Sequence, residues 1–469
     1  MKKTLLLAVV LILSCLGAKA ASYFFSPSEA ASLKALLGGG ELRPGDRIIL
    51  RDGVYRDLGA FDFSARGSLD APVTFCAEHP GAAVFSGPLT IRLSGEYLRL
   101  EGLLFYKAWS AELCLVEFQK EEGVFASHCR MTECAIDDCN NPQKSEVAIG
   151  RMSSSISGEF WLGLHGTDNR IDHCYFANKR VGGLTVQIWL GEKDYLNNHR
   201  IDHNVFGYHK DYQGNGAETI RIGNSWSSQL PSHTLVEDNV FLHCDGEIEV
   251  ISVKSCHNTV RRNLFYESRG GLVCRHGHDN ILESNTFIGN DIDGTLGIRI
   301  INQNQTVYDN FIARTGGYGL LVRMGVYERP TAETDTELEP LTSYHRVENA
   351  DIAYNWFFGC REINLLSGFG DKEPRHVRMW HNVFTGPADC FRVEHADLIP
   401  GNFNFEDNRY SLADGARPPF DGGFTPLEVE PDWAALERAR VLDLMSVGQG
   451  PSWYLPCRTD RDQIIGHYR

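Results

Sequence analysis

Glu237-Asp238-Asn239-Val240-Phe241 is one instance of a phrase that returns along the whole chain. Asp202-His203-Asn204-Val205-Phe206 precedes it, and Arg261-Arg262-Asn263-Leu264-Phe265 and Glu283-Ser284-Asn285-Thr286-Phe287 follow. Tyr308-Asp309-Asn310-Phe311, Tyr354-Asn355-Trp356-Phe357 and Trp380-His381-Asn382-Val383-Phe384 continue it. The asparagines step by 35, 24, 22, 25, 45 and 27 residues. A basic period in the twenties, with occasional insertions, is what one coil of a β-helix needs for three short strands and three bends. Asn suits the bend because it tolerates left-handed backbone and can bond to its stacked counterpart in the next coil. Leucine-rich repeats share the period, but their Leu-x-x-Leu-x-Leu phrase is missing, and Gly and Asn interrupt every helical window. The repeat predicts an all-β, single-domain, right-handed parallel β-helix.

The flanks of the repeat read as closures. Ser26 and Glu29 form a capping box with Pro27 at the first helical position, and Gly38 follows the last apolar residue, Leu37. An amphipathic helix there suits a cap over the open end of a solenoid. Glu328 to Pro340 reads as an acidic, proline-containing loop. From Leu412 the chain changes character, with Pro418, Pro419, Pro426 and Pro431 and then an expected helix from Asp432 to Met445. The expected division is therefore a β-helix with its N-terminal cap over 21–411 and a C-terminal cap over 412–469.

Residues 1–20 read as a signal peptide. Lys2 and Lys3 form a basic n-region, Thr4 to Leu16 an apolar h-region, and Ala18-Lys19-Ala20 a cleavage site. A lipoprotein reading through Cys15 competes, with Leu13 bulky for a lipobox. Either way the chain is expected to be exported, periplasmic or secreted, without a transmembrane segment, and monomeric. Removing Lys2, Lys3 and Lys19 takes the net charge from −16 to about −19. That acidity argues against nucleic acid and anionic membranes as partners. The cysteines from Cys76 to Cys457 lack zinc spacing and read mostly as buried thiols, with a few disulfides left open.

On so acidic a chain, a basic stripe is informative. Ile220-Arg221-Ile222, Cys274-Arg275-His276, Ile298-Arg299-Ile300 and Val322-Arg323-Met324 each flank an arginine with apolar residues, and Glu247-Ile248-Glu249-Val250 falls among them. Taking Arg221, Glu249, Arg275, Arg299 and Arg323 as equivalent gives steps of 28, 26, 24 and 24. These residues are then expected to project outward in register over roughly four coils, about 19 Å at 4.8 Å per strand. The bland alternative is a solvated face neutralised by acidic neighbours; the functional reading is a site for an elongated anionic polysaccharide.

Within the stripe, Glu247 and Glu249 share a strand face at about 6.5–7 Å between backbones. With an amide oxygen from Asn215 they offer an all-oxygen site for a hard cation, Ca2+ rather than Mg2+; paired glutamates and arginines are the alternative. Asp245-Gly246-Glu247-Ile248-Glu249-Val250-Ile251-Ser252-Val253-Lys254-Ser255, followed by Cys274-Arg275-His276-Gly277, resembles the signature of polysaccharide lyase family 6, which includes alginate lyases and chondroitinase B. The resemblance is tightest from Asn215 to Asn290. It implies Lys254 as Brønsted base, Arg275 as acid, and Asn215, Glu247 and Glu249 as Ca2+ ligands, with Glu218 beside them. Arg221, His276, Arg299 and Arg323 are expected to contact substrate, His276 being alternatively a buried structural residue.

β-Elimination explains these residue types. The C5 proton of a uronate is poorly acidic because its carboxylate is already charged, so a cation and arginines must stabilise the developing dianion. Lys254 must be neutral to accept that proton, and Arg275, always charged, stabilises the departing O4. Alginate is the expected substrate and dermatan sulfate the alternative. A glycoside hydrolase using Glu247 and Glu249 would place both carboxylates on one side of the sugar and leave Lys254 idle. A non-catalytic carbohydrate-binding β-helix is the remaining alternative.

Overall fold

The computed structural model describes residues 20–144, 158–191, 196–212, 214–328, 343–368 and 370–469. The expected signal peptide up to residue 19, with Cys15, and the loop residues 329–340 lie outside them. Three parallel faces wind around one core. The first is a sheet of 14 strands, from Ser22–Phe25 to Phe403–Glu406. The second runs from Gly53–Arg56 to Phe424–Pro426 and the third from Gly59–Arg66 to Phe391–Val393. This is the parallel β-helix that the repeat predicts.

Inward residues stack coil on coil. Phe176, Phe206, Phe241, Phe265 and Phe287 lie ring over ring with successive centroids 5.0, 5.0, 4.8 and 4.3 Å apart, close to the spacing of neighbouring strands. The recurring asparagines form a buried ladder. Asn239 Oδ1 accepts from both the backbone N and the Nδ2 of Asn204, each at 2.9 Å. The pattern repeats through Asn263, Asn285, Asn310, Asn355 and Asn382, and the structure adds Asn408. One detail differs from expectation. The left-handed backbone belongs to the residue before each Asn, such as Asp238 (φ 53°) and Arg262 (φ 51°), so the Asn is selected for its amide alone. A second ladder, Thr234 to Asn258, Asn280 and Gln305, occupies another bend.

The ends close as amphipathic caps should at one side only. Glu29 Oε2 accepts from Ser26 N at 2.8 Å, and the helix Ala30–Gly38 buries Leu33 and Leu37 in the core. At the other end, Phe420 and Phe424 pack on Phe391 and Phe405. The rest of the tail is not an end cap. Its helices Trp433–Met445 and Leu455–Tyr468 run back along the outside of the second face, burying Val441, Leu444, Ile464 and Tyr468 against Val205, Val240, Leu264 and Phe311. Outward apolar residues on that face demanded a cover, and the tail supplies it. The second of these helices went unread in the sequence. All twelve cysteines from Cys76 onward are buried free thiols. No helix among the described residues is long and apolar enough to cross a membrane.

Candidate active site

The third face carries most of the candidate residues, on the strands Ile220–Gly223, Glu249–Lys254, Gly270–His276, Thr295–Ile300 and Tyr318–Arg323. Their register corrects the single arginine stripe. Arg221 pairs with Ser252, Ser252 with Val273, Val273 with Arg299 and Arg299 with Leu321. Arg275 lies in a bulge opposite Lys254, where Val253 and Lys254 pair with Cys274 and His276, and Arg323 stands two residues beyond Leu321. The arginines therefore occupy two columns, Arg221 and Arg299 in one, Arg275 and Arg323 in the next. Counting steps missed this because bulges at both ends of the Glu249–Lys254 pairing change the register.

Three buried carboxylates meet at the end of this array. Ligand oxygens of Glu218, Glu247 and Glu249 all lie within 4.8 Å of one another. Glu249 Oε1 receives Arg275 Nη1 at 3.1 Å and also Arg299 Nη2, while its other oxygen receives the Ser252 hydroxyl. Burial pushes Glu249 up, but Arg299, Arg275 and Lys254 outweigh it and leave its carboxyl below the ordinary range. Glu218 Oε1 receives Lys254 Nζ at 3.0 Å, with Arg221 Nη1 at 3.7 Å. Burial opposes its ionisation as well, and Lys254 and Arg221 nonetheless bring it down to about 2. Among the described residues no cation hydrogen-bonds Glu247, whose Oε2 accepts from the backbone N of Gly216 at 2.6 Å and of Ala217 at 3.4 Å, and Lys254 only partly offsets its surroundings. Burial, then Glu218 and Glu249, push it up to about 9.

This donor set fits a hard cation. Three carboxylates in mutual repulsion are what a divalent ion would relieve, and Glu218 Oε2 is buried with no hydrogen-bond partner among the described residues. Asn215 is exposed and lines the adjoining cavity of about 480 Å3, with Glu247, Ile248, Glu249, Arg269 and Arg275. The sequence placed Glu218 beside the ligands; the structure makes it the third carboxylate and the partner of Lys254.

Tyr344 completes the far side. The guanidinium carbons of Arg323 and Arg275 lie 4.7 and 5.5 Å from its ring centroid, and His276 stacks on it at 6.1 Å. Sequence reasoning missed Tyr344, which sits outside the repeat. His276 is buried, with Nε2 3.2 Å from Ser225 Oγ, and burial followed by Arg275 and Lys254 lowers it to about 3, so its imidazole is neutral. Arg221 and Arg299 are buried and engaged, Arg221 Nε donating to Gln187 Oε1 at 2.6 Å.

The family model for Chondroitinase B matches residues 36–373. The chain belongs to polysaccharide lyase family 6. Its solved relatives agree with this family 6 assignment and with lyase activity. A mannuronic acid specific family 6 lyase from human gut microbiota is 52% identical with a TM-score of 0.89, over 95% of this chain and 100% of that one. The family 6 alginate lyase AlyGC is 33% identical with a TM-score of 0.76, over 87% of this chain and 53% of that one. No curated protein matches the chain. Polysaccharide lyase activity and the β-helix expected for it therefore stand; a hydrolase or a purely binding module does not.

Proposed function

We propose that this lyase cleaves alginate, with mannuronate as the uronate it processes, by β-elimination at Lys254 and Arg275. One observation carries the reading: Lys254 Nζ and the Arg275 guanidinium each contact a different member of the same buried carboxylate trio, at 3.0 and 3.1 Å. A base and a cationic stabiliser thereby face one groove beside a cation site. The 52% identical mannuronic acid specific relative supports the substrate.

Glu218, Glu247 and Glu249, with the Asn215 amide, would hold Ca2+, which supplies positive charge against the uronate carboxylate. Lys254, as the neutral amine, takes the C5 proton; the C4–O4 bond breaks, C4=C5 forms, the C5 proton lands on Nζ, and O4 leaves as a hydroxyl with a proton drawn from solvent water, whose hydroxide the Nζ proton later neutralises. That transfer restores the ammonium form that Glu218 holds at 3.0 Å. Arg275, charged at any working pH, stabilises O4 as it leaves, and its position over Tyr344 fixes the guanidinium plane.

Polymannuronate, polyguluronate and dermatan sulfate, incubated separately and followed by the ultraviolet absorbance of unsaturated uronate, test the reading. Absorbance is expected with polymannuronate; absorbance only with dermatan sulfate would transfer the activity to that polymer. The n-region and A-x-A site support export to the periplasm or medium, which N-terminal sequencing of the mature protein checks.

A further inference from the structure

Most large apolar side chains in this chain are inside, yet Trp226 is 74% exposed, next to Ser225, whose Oγ lies 3.2 Å from His276 Nε2. Its backbone is not loose. The chain leaves the third face at Gly223, which pairs with Lys254, and enters a short turn over Ser225–Ser227. Asn224 Oδ1 accepts from Trp226 N at 2.8 Å and Ser227 N at 3.0 Å, and Ser227 Oγ accepts from Asn224 N at 2.9 Å. Ser225 reaches His276 Nε2, tying the turn to the next coils of the site. Gly223 is required there: its φ is 80°, and a Cβ would fall 2.9 Å from the Lys254 carbonyl. The turn that carries the indole is thereby fixed against the Lys254 strand.

We infer that Trp226 is a stacking platform for a pyranose ring of the bound polymer, at the Lys254–His276 end of the groove. An indole on a turn whose backbone is fixed is a large apolar face left in water until something flat covers it. β-1,4-linked mannuronate is such an occupant. Its equatorial linkages keep the chain ribbon-like, and the axial H1, H3 and H5 make one ring face apolar. Diaxially linked guluronate is buckled and presents no equivalent run of faces. The equatorial carboxylates lie along the edges of the ribbon and leave that face free for the indole. This inference rests on the alginate reading and deepens it, because it assigns a residue to the mannuronate preference.

The test is the steady-state kinetics of the full chain with Ca2+ on polymannuronate and polyguluronate. Trp226→Ala is expected to raise KM on polymannuronate about tenfold, equivalent to about 1.4 kcal/mol, at unchanged kcat. Trp226→Phe should recover most of that loss, and neither variant should move Tm, because the side chain is exposed. A wild-type KM in Trp226→Ala, or an equal rise on both polymers, would overturn the assignment while leaving the alginate reading intact. If the wild-type protein leaves polymannuronate uncut, the alginate reading falls and the platform falls with it.

Discussion

The asparagine bend and the Lys254 groove belong to the same coils, but they treat polar groups in opposite ways. At Asn263, Oδ1 accepts from Asn239 N and Nδ2 at 3.1 and 3.0 Å, and its own Nδ2 donates to Val236 O at 3.0 Å and Asn285 Oδ1 at 3.0 Å. Every polar atom is matched by a copy of the same residue one coil away. In the groove, unlike side chains are crowded together: three carboxylates within 4.8 Å, two arginines on one of them, and an oxygen of Glu218 without a hydrogen-bond partner among the described residues. The first arrangement stabilises the solenoid. The second costs stability until a ligand enters, as the proposed lyase site would.

The largest effect expected from breaking this contrast is at Lys254. Lys254→Ala should lower kcat about 10^3-fold, within the usual range for a lost general base, while polymannuronate binding survives. Turnover is read from unsaturated-uronate absorbance and binding from calorimetry. A variant that keeps even a tenth of wild-type turnover would remove Lys254 from the chemistry. Asn263→Ala should do the reverse. It leaves buried donors and acceptors unmatched on both neighbouring coils and should cost about 3 kcal/mol in denaturant unfolding, with kcat per folded molecule unchanged.

That division also explains what the sequence made legible. The ladder was readable because its geometry repeats, and the Asn-apolar phrase is the repeat itself. Lys254, Arg275, Glu247 and Glu249 were readable because they lie within one short signature. The register of the arginines was not, since irregularities in the pairings of Gly270–His276 with both neighbouring strands insert residues, Arg275 among them, that no spacing reveals. The partnership of Glu218 with Lys254 joins residues 36 apart, across adjacent coils. Tyr344 and Trp226 carry no repeat signal at all, and the helix Leu455–Tyr468 has its apolar residues too sparsely set to announce a buried face.

The groove should also be visible in stability against pH. In the metal-free protein Glu247 is pushed from 4.5 up to about 9. A raised carboxyl stabilises the fold fully below its ordinary value, and that stability is lost as pH rises through the raised one. With chelator present, wild-type Tm should therefore fall relative to Glu247→Gln between roughly pH 5 and pH 9. Added Ca2+ should recover it at the alkaline end, because an ion that binds only the folded state stabilises by mass action, and activity should vanish in EDTA and return with Ca2+. Parallel Tm curves for wild type and Glu247→Gln would show that Glu247 is not held in an unfavourable state.

The smallest effect sharpens the comparison by asking whether the tail belongs to the solenoid's stability or stands apart from it. Tyr175, on the second face, donates its hydroxyl to Asp460 Oδ2 at 2.8 Å in the helix Leu455–Tyr468. Tyr175→Phe deletes that bond and leaves the ring's packing in place, for a cost of about 1 kcal/mol. If the tail is a separate cooperative unit laid over a self-sufficient solenoid, hydrogen exchange should quicken in Leu455–Tyr468 and stay unchanged in Glu249–Lys254. The ladder supports this expectation, because the strands pair coil to coil, and the bonds from the tail reach backbone at the bends, as from Gly450 N to His203 O at 2.8 Å, Trp453 Nε1 to Glu133 O at 3.0 Å and Arg440 Nη1 to Asp309 O at 3.3 Å. Equal quickening in both segments would mean that the apolar cover of the second face is part of the same cooperative unit as the groove, and the stable and strained regions would then have to be drawn with the tail inside the first.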